Sequence, residues 1–308
     1  PSGVYYWGAH QNGMLRATDR GATWSRHAGK SESPTIECAS RIQTNDDKYI
    51  VVFVLDIERS DYTLLSSSDS CKTWKAIIPG KESPQEASKA VLLKNNKTIV
   101  LNAQNRMSVL DSGASATKPI PVINNLAAQP IDFSVSKDGS VFILMDNGSI
   151  VKLHSDLEDA ENIEFNSIPN DRPIKIQVTE LGRFYVYTEK YDFYLLSTIM
   201  PPEELYMGVP EDGREYVYDI ASAGEEYFVA KYNNYLTDFN VFNTVYYQRS
   251  TKSHDTFYSS SNESFGTTFD FFFSDDCMYF NLGEFYSQRI DWYIYSVSYG
   301  LSTSINDF

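Results

Sequence analysis

The chain has 308 residues, 42% apolar and 14% aromatic, and a formal charge of −15. That apolar content supports one large buried core or two smaller ones. So acidic a surface repels phosphate backbones and anionic lipid, and no basic stripe offsets clusters such as Glu158, Asp159 and Glu161, so nucleic-acid binding is disfavoured.

From the N-terminus, residues 4–9 and 14–18 read as two strands around the start of the octet Ala17-Thr18-Asp19-Arg20-Gly21-Ala22-Thr23-Trp24. Residues 48–56 and 62–66 follow as β-branched and aromatic strands. Their apolar run, 50–55, is far short of the roughly 20 residues of a spanning helix, so no membrane span is expected. The octet then returns as Ser67-Ser68-Asp69-Ser70-Cys71-Lys72-Thr73-Trp74. A strand at 98–103 precedes an eroded copy at 109–116, which keeps Asp111 and Gly113 but has Ala116 at the Trp position. Strands at 141–145, 174–179, 184–188, 193–197, 227–231 and 244–248 come next. Among them lie Lys137-Asp138-Gly139-Ser140, Asp146-Asn147-Gly148-Ser149 and Glu180-Leu181-Gly182-Arg183, which carry hairpin-turn chemistry. A second eroded octet, 250–257, has Lys252 at the Asp position and ends in Thr256-Phe257; strands at 269–273 and 292–298 complete the series. Helical periodicity is hard to find. Many short strands with such turns indicate an all-β sandwich, barrel or propeller.

The spacing of the octets selects among these. Positions 19, 69, 111 and 252 are 50, 42 and 141 residues apart, the last interval being three steps of 47. Steps after 111 fall near 158 and 205, and one past 252 falls near 299, so seven positions fit the chain. A period of about 40–50 residues with four strands per unit is the size of a propeller blade.

The pattern Ser-x-Asp-x-Gly-x-Thr-Trp resembles the Asp-box, or BNR repeat, of β-propellers such as sialidases, xyloglucanases and sortilin-type receptors. Asp19, Gly21, Thr23 and Trp24 match it, with Ala17 in place of Ser. Ser67, Asp69, Thr73 and Trp74 match it too, with Cys71 where Gly is usual, and Asp111 and Gly113 survive in the third copy. The resemblance and the spacing together imply one all-β domain over residues 1–308: a β-propeller of seven four-stranded blades, with six as the alternative. In such propellers the box makes the turn between the third and fourth strands of a blade. Its carboxylate can accept backbone N–H groups that the turn would orphan. Gly21 takes a positive φ at low cost, and Cys71 only with strain. The indole wedges against the next sheet, a burial of about 2–3 kcal/mol. Asp19 and Asp69 are therefore expected to be turn staples rather than catalysts. Only two strands fit ahead of the first octet. A C-terminal strand at 292–298 or just beyond is expected to join the N-terminal blade, because an open ring exposes strand edges.

Residues suited to catalysis are dispersed. His10, His27, His154 and His254 lie far apart, and neither a phosphate-binding nor a dinucleotide-binding glycine loop occurs, so no metal and no cofactor is expected. Cys38, Cys71 and Cys277 are scattered and read as buried free thiols, with a Cys38–Cys71 bridge as the alternative if neighbouring strands align them. The adjacent acid pairs Asp46/Asp47, Glu203/Glu204 and Asp275/Asp276 would point to opposite faces of a strand, which is no geometry for joint catalysis. A sialidase, by resemblance, would carry an arginine in Arg-Ile-Pro; here Arg41-Ile42 is followed by Gln43.

The last third is dense in aromatics, most of them suited to packing between blades. The polar-aromatic stretch 233–243 is longer than a hairpin requires and is the candidate functional loop, with Tyr232, Tyr235, Phe239 and Phe242 as candidate ligand-binding residues. The expected function is a non-catalytic binding or assembly module. It would recognise a glycan or protein partner through its loops within a larger assembly, in a secreted protein, at a cell surface or on a virus particle. The alternative is a sialidase-like or xyloglucanase-like glycoside hydrolase with its site at the central channel.

Overall fold

The structure, a computed structural model, describes residues 4–9, 13–18, 23, 25–26, 30–31, 39–44, 48–56, 61–77, 87–165, 168, 172–179, 181–190, 192–205, 216–223, 227–234, 241–248, 253–260, 271–273, 277–286, 289–298 and 306–307.

Seven sheets follow one another along the described residues. The first has three strands in the order β1 (Tyr5–Ala9), β2 (Gly13–Ala17), β3 (Ser25–Arg26). The second draws on β4 (Lys30–Ser31), β5 (Ala39–Thr44), β6 (Ile50–Asp56), β7 (Asp61–Ser67) and β8 (Thr73–Ala76), in the order β4-β8-β7-β6-β5. The others have four strands each, in chain order. The third holds β9 (Ala87–Leu92), β10 (Thr98–Asn102), β11 (Met107–Leu110) and β12 (Lys118–Pro119). After the one-turn helix α1 (Pro121–Asn124), the fourth holds β13 (Pro130–Val135), β14 (Val141–Met145), β15 (Ile150–Leu153) and β16 (Ala160–Ile163). The fifth holds β17 (Pro173–Val178), β18 (Phe184–Thr188), β19 (Phe193–Leu196) and β20 (Glu203–Leu205). The sixth holds β21 (Tyr216–Ala223), β22 (Tyr227–Asn234), β23 (Val241–Gln248) and β24 (Ser253–Ser260). The seventh holds β25 (Phe271–Phe273), β26 (Cys277–Tyr286), β27 (Arg289–Ser298) and β28 (Asn306–Asp307). Apart from β4, which pairs in parallel with β8, neighbouring strands in space are neighbours in sequence, the arrangement that costs least loop-closure entropy. Six of the seven positions of the octet register fall just before the last strand of a sheet: 19, 69, 111, 158, 252 and 299. The seventh, 205, falls inside β20.

The burial of each strand follows from how many of its faces are covered. β10, β14 and β18, each second in its sheet, are buried at all five positions. A strand packed on both faces loses the polar alternation of a half-exposed one and reads as a continuous apolar run. The second sheet shows how both faces are filled. Ile50, Val52 and Leu65 enter one core with Met14, Cys71 and Trp74, while the intervening Tyr49, Val51 and Leu64 enter another with Ala90, Val100 and Leu110. The two-residue period of the strand divides the chain between two cores, each side chain contributing about 1.5–3 kcal/mol on full burial. The last strands β12 and β16 have no buried position, both residues of β12 being exposed.

The chain divides into two compact units. The first comprises residues 1–135, 139–141 and 153–161, and the second residues 136–138, 142–152 and 162–308. Within the first, polar side chains tie the first strands of successive sheets. The Gln43 amide donates to the Ala90 carbonyl at 2.8 Å and accepts from the Leu92 N–H at 2.6 Å, joining β5 to β9. Lys89 Nζ lies 2.7 Å from Asp132 Oδ1, joining β9 to β13. In the second unit, Phe142 of β14 meets Phe184 of β18 edge-on at 5.1 Å between ring centroids.

Residues 292–298 do not pair with the N-terminal sheet. They lie in β27, which has β26 along one side and β28 on the other. The register of β26 with β27 runs from Cys277↔Ser298 to Tyr286↔Arg289, a tight hairpin. Closing so short a loop costs far less chain entropy than reaching a strand almost the whole chain away, and the local partner wins.

Candidate functional site

The second octet forms a closed hydrogen-bonded turn between β7 and β8, the third and fourth strands counted from β5. Asp69 Oδ1 accepts the Thr73 N–H at 2.9 Å and Oδ2 accepts the Thr73 hydroxyl at 2.7 Å. Ser67 Oγ donates to Asp69 Oδ1 and accepts the buried Cys71 N–H, both at 2.9 Å. The Thr73 N–H, then its hydroxyl, hold the Asp69 carboxyl down to about 2. Ser70 and Cys71 have φ of 60° and 65°, a conformation L-residues rarely adopt, and the Cys71 side chain is fully buried beside Trp74. Burial pushes the Cys71 thiol up to about 12.

The third octet is looser. Gly113 takes a positive φ of 77°, where Cys71 takes 65° in the second octet, but the Asp111 carboxylate is held by Lys118 Nζ at 2.7 Å, whose hydrogen bond is the main cause of its lowered pKa. Lys75, following Trp74, donates to the Gly113 carbonyl at 3.0 Å and links the two turns. Of the first octet, Thr23 is exposed, and Asp19, Gly21 and Trp24 lie outside the described residues. Asp69 accepts the Thr73 N–H across a strand–strand turn much as a capping carboxylate accepts one at a helix start.

Asp69→Asn is expected to cost about 1 kcal/mol at neutral pH by analogy with capping residues. Because the folded pKa lies below the unfolded one, that contribution is present above about pH 4 and is lost as pH falls towards 2. Urea midpoints of both proteins at pH 7 and near pH 2 check this: the gap between them should close in acid.

A different kind of feature sits at the equivalent end of the fifth sheet. Among the described residues four large apolar side chains are exposed, and three lie here: Leu181 at 77%, Ile199 at 86% and Met200 at 48%. Leu181 tips the turn between β17 and β18, and Ile199 and Met200 tip the turn between β19 and β20. Antiparallel pairing puts both turns at one end of the sheet, flanking the Phe184↔Leu196 pair, with adjacent strands about 4.8 Å apart.

Both turns are stapled. Thr179 N–H donates to Arg183 O at 2.8 Å, Arg183 N–H donates to Thr179 Oγ1 at 3.1 Å, and Gly182 N–H donates to Thr179 O at 3.1 Å with φ of 75°. Ile199 N–H donates to Ser197 Oγ at 3.2 Å. Arg183 Nη2 reaches Glu203 Oε2 at 3.6 Å and ties one turn to the other. The apolar side chains are therefore held outward by short, hydrogen-bonded backbone, and a partner would have little ordering entropy to overcome.

No family model matches the chain, and no curated protein matches it. Solved structures do. YCF48 from Cyanidioschyzon merolae superposes with a TM-score of 0.59 at 12% identity, covering 92% of this chain and 89% of that one. YCF48 bound to D1 peptide gives 0.51 at 12% identity, covering 74% and 72%. Dihydro-heme d1 dehydrogenase NirN in complex with DHE gives 0.52 at 12% identity, covering 99% of this chain and 64% of that one. These structures have β-propeller folds, and the chain shares with them its run of four-stranded antiparallel sheets. The fold is a β-propeller.

In a propeller blade the first–second and third–fourth turns share one end, and the second–third turn lies at the other. The octet turns and the apolar tip thus occupy the first-named end of their own sheets. Of the stretch 233–243, residues 233–234 end β22 and 241–243 begin β23, at the opposite, second–third end of the sixth sheet, and 235–240 lie outside the described residues. There Tyr232 is registered with Asn243 and Phe242 with Asn233, adjacent positions that fall on opposite faces of the pair. Tyr235 and Phe239 lie outside the described residues.

Sequence reasoning passed over Leu181, Ile199 and Met200, reading 180–183 as turn chemistry alone. A usable signal was present: apolar residues at turn tips, where Gly, Asn, Asp and Ser are the usual occupants.

Proposed function

We propose that this propeller is a non-catalytic binding or assembly module and that its partner is a protein. The observation that carries the proposal is the apolar tip, where Leu181, Ile199 and Met200 stand exposed on stapled turns. Soluble proteins seldom expose clustered large apolar side chains without a partner to cover them. Covering all three would contribute roughly 1.5–3 kcal/mol each. That offsets part of an association cost of about 4–15 kcal/mol, so rim contacts must supply the rest. The likeness to YCF48 bound to D1 peptide supports a protein partner over a glycan. Seven blades are the finer reading of the architecture, supported by seven sheets among the described residues. The octets are read as Asp-boxes, supported by the Asp69 turn and by the position of the octets before last strands.

The test compares the full chain with its Leu181→Ser, Ile199→Ser, Met200→Ser variant as paired baits, with Lys190→Ala as a surface control. A defined set of partners should be held by the parent and the control and released by the triple variant, with thermal unfolding unchanged. Retention of the same set by the triple variant would refute the role of the tip. Turnover of a glycoside substrate by the parent would refute the non-catalytic reading.

A further inference from the structure

Beyond the tip being a docking site, on which this inference rests, the charge around it specifies what docks. We propose that the tip of the fifth sheet binds a cationic, amphipathic segment of a partner protein, apolar side chains on Leu181, Ile199 and Met200 and lysine or arginine beside them. Within the two turns the one described base, Arg183, is only 15% exposed at its side chain and is engaged by Glu203. Glu203 remains one-third exposed, and Glu204, next along the edge strand β20, is exposed. Glu204 is registered with Tyr194 and Glu203 with Leu195, so the two carboxylates occupy opposite faces of that edge and rim the tip on both. The local excess of acid agrees with the chain as a whole, whose charge of −15 draws cationic partners and repels anionic ones during encounter. An apolar centre with an acidic rim is complementary to a segment of the opposite pattern. It is a poor match for an anionic lipid surface or for a second copy of so acidic a chain.

The experiment measures binding of the full chain to three sets of short synthetic peptides by fluorescence anisotropy. One set alternates leucine or phenylalanine with lysine, one replaces each lysine by glutamine, and one replaces it by glutamate. The lysine set should bind about tenfold more tightly than the glutamine set at low salt, and the advantage should shrink as salt rises. Glu203→Gln with Glu204→Gln should remove most of that advantage, and the Leu181, Ile199, Met200 triple variant should weaken both sets about tenfold or more. Equal, tip-dependent binding of lysine and glutamine sets would overturn the charge argument and leave the docking site standing. Peptide binding that ignores the triple variant would overturn the docking site itself. Tip-dependent dimerisation in sedimentation, or tip-dependent binding to phosphatidylcholine vesicles, would assign the surface to a second copy or to lipid and overturn the proposal.

Discussion

Trp74→Ala is expected to cost the first unit about 3–5 kcal/mol, the range for deleting a buried aromatic from a packed core. Trp74 is 1% exposed, and its ring is enclosed by Met14, Ile50, Val52, Leu65 and Cys71. Those residues come from the first and second sheets, so the cavity would open between two sheets rather than inside one. The indole Nε1 has no hydrogen-bond partner among the described residues. Trp74→Phe should therefore cost much less than Trp74→Ala, since the smaller ring also removes an unsatisfied donor worth about 1–3 kcal/mol. Urea unfolding followed by far-ultraviolet circular dichroism separates the two variants. A cost for Trp74→Ala below about 1 kcal/mol would mean that this core collapses around the vacancy, contrary to the interior packing described.

Lys89→Met should cost about 3 kcal/mol for a related reason. Its ammonium lies 2.7 Å from Asp132 Oδ1 and 5.2 Å from the centre of the Phe133 ring, and the Asp132 side chain is only 4% exposed. Removing the ammonium leaves the buried Asp132 charge without its Lys89 counter-ion in a poorly solvating site, and most of the cost is that loss of compensation rather than the attraction itself. A double-mutant cycle distinguishes the two. Adding Asp132→Asn to Lys89→Met should recover a large part of the stability, because the neutral amide has no charge to strand. If the second substitution only adds to the damage, the pair holds β9 against β13 by its attraction.

These two residues also mark where the sequence was readable and where it was not. The spans 98–103, 141–145 and 184–188 stood out as strands because both faces of β10, β14 and β18 are buried and the code there is an unbroken apolar run. The first strands β5, β9 and β13 went unread. Their apolar pattern is interrupted by Gln43, Lys89 and Asp132, polar residues whose partners lie on the next sheet some 40 or more positions away. A polar residue that satisfies a distant strand looks, in one dimension, like a residue facing water. The spans 62–66 and 193–197, by contrast, matched β7 and β19 closely.

The octet turn was legible in outline, as a carboxylate accepting a backbone N–H beside a positive-φ Cys71, without the bonds made by Ser67 and the Thr73 hydroxyl. Ser67, Asp69, Cys71 and Thr73 are bonded to one another across two to four positions, so the residues that make the turn are the ones that spell it. The C-terminal strand was not. Residues 292–298 pair with the nearby β26, as chain entropy favours, rather than with the N-terminal sheet that ring closure suggested.

The sequence alone therefore determined the strand-and-turn repeat, its period of about 40–50 residues and the carboxylate-held turn at Asp69, because each is set by contacts within a few residues or by a recurrence along the chain. The tertiary structure alone decided which apolar side chains found cover. Leu65, inside strand β7, is fully buried, whereas Leu181, at a turn tip, is 77% exposed. The turn signal around Leu181 is local, but whether another sheet's side chains pack against either position is set only by the tertiary arrangement.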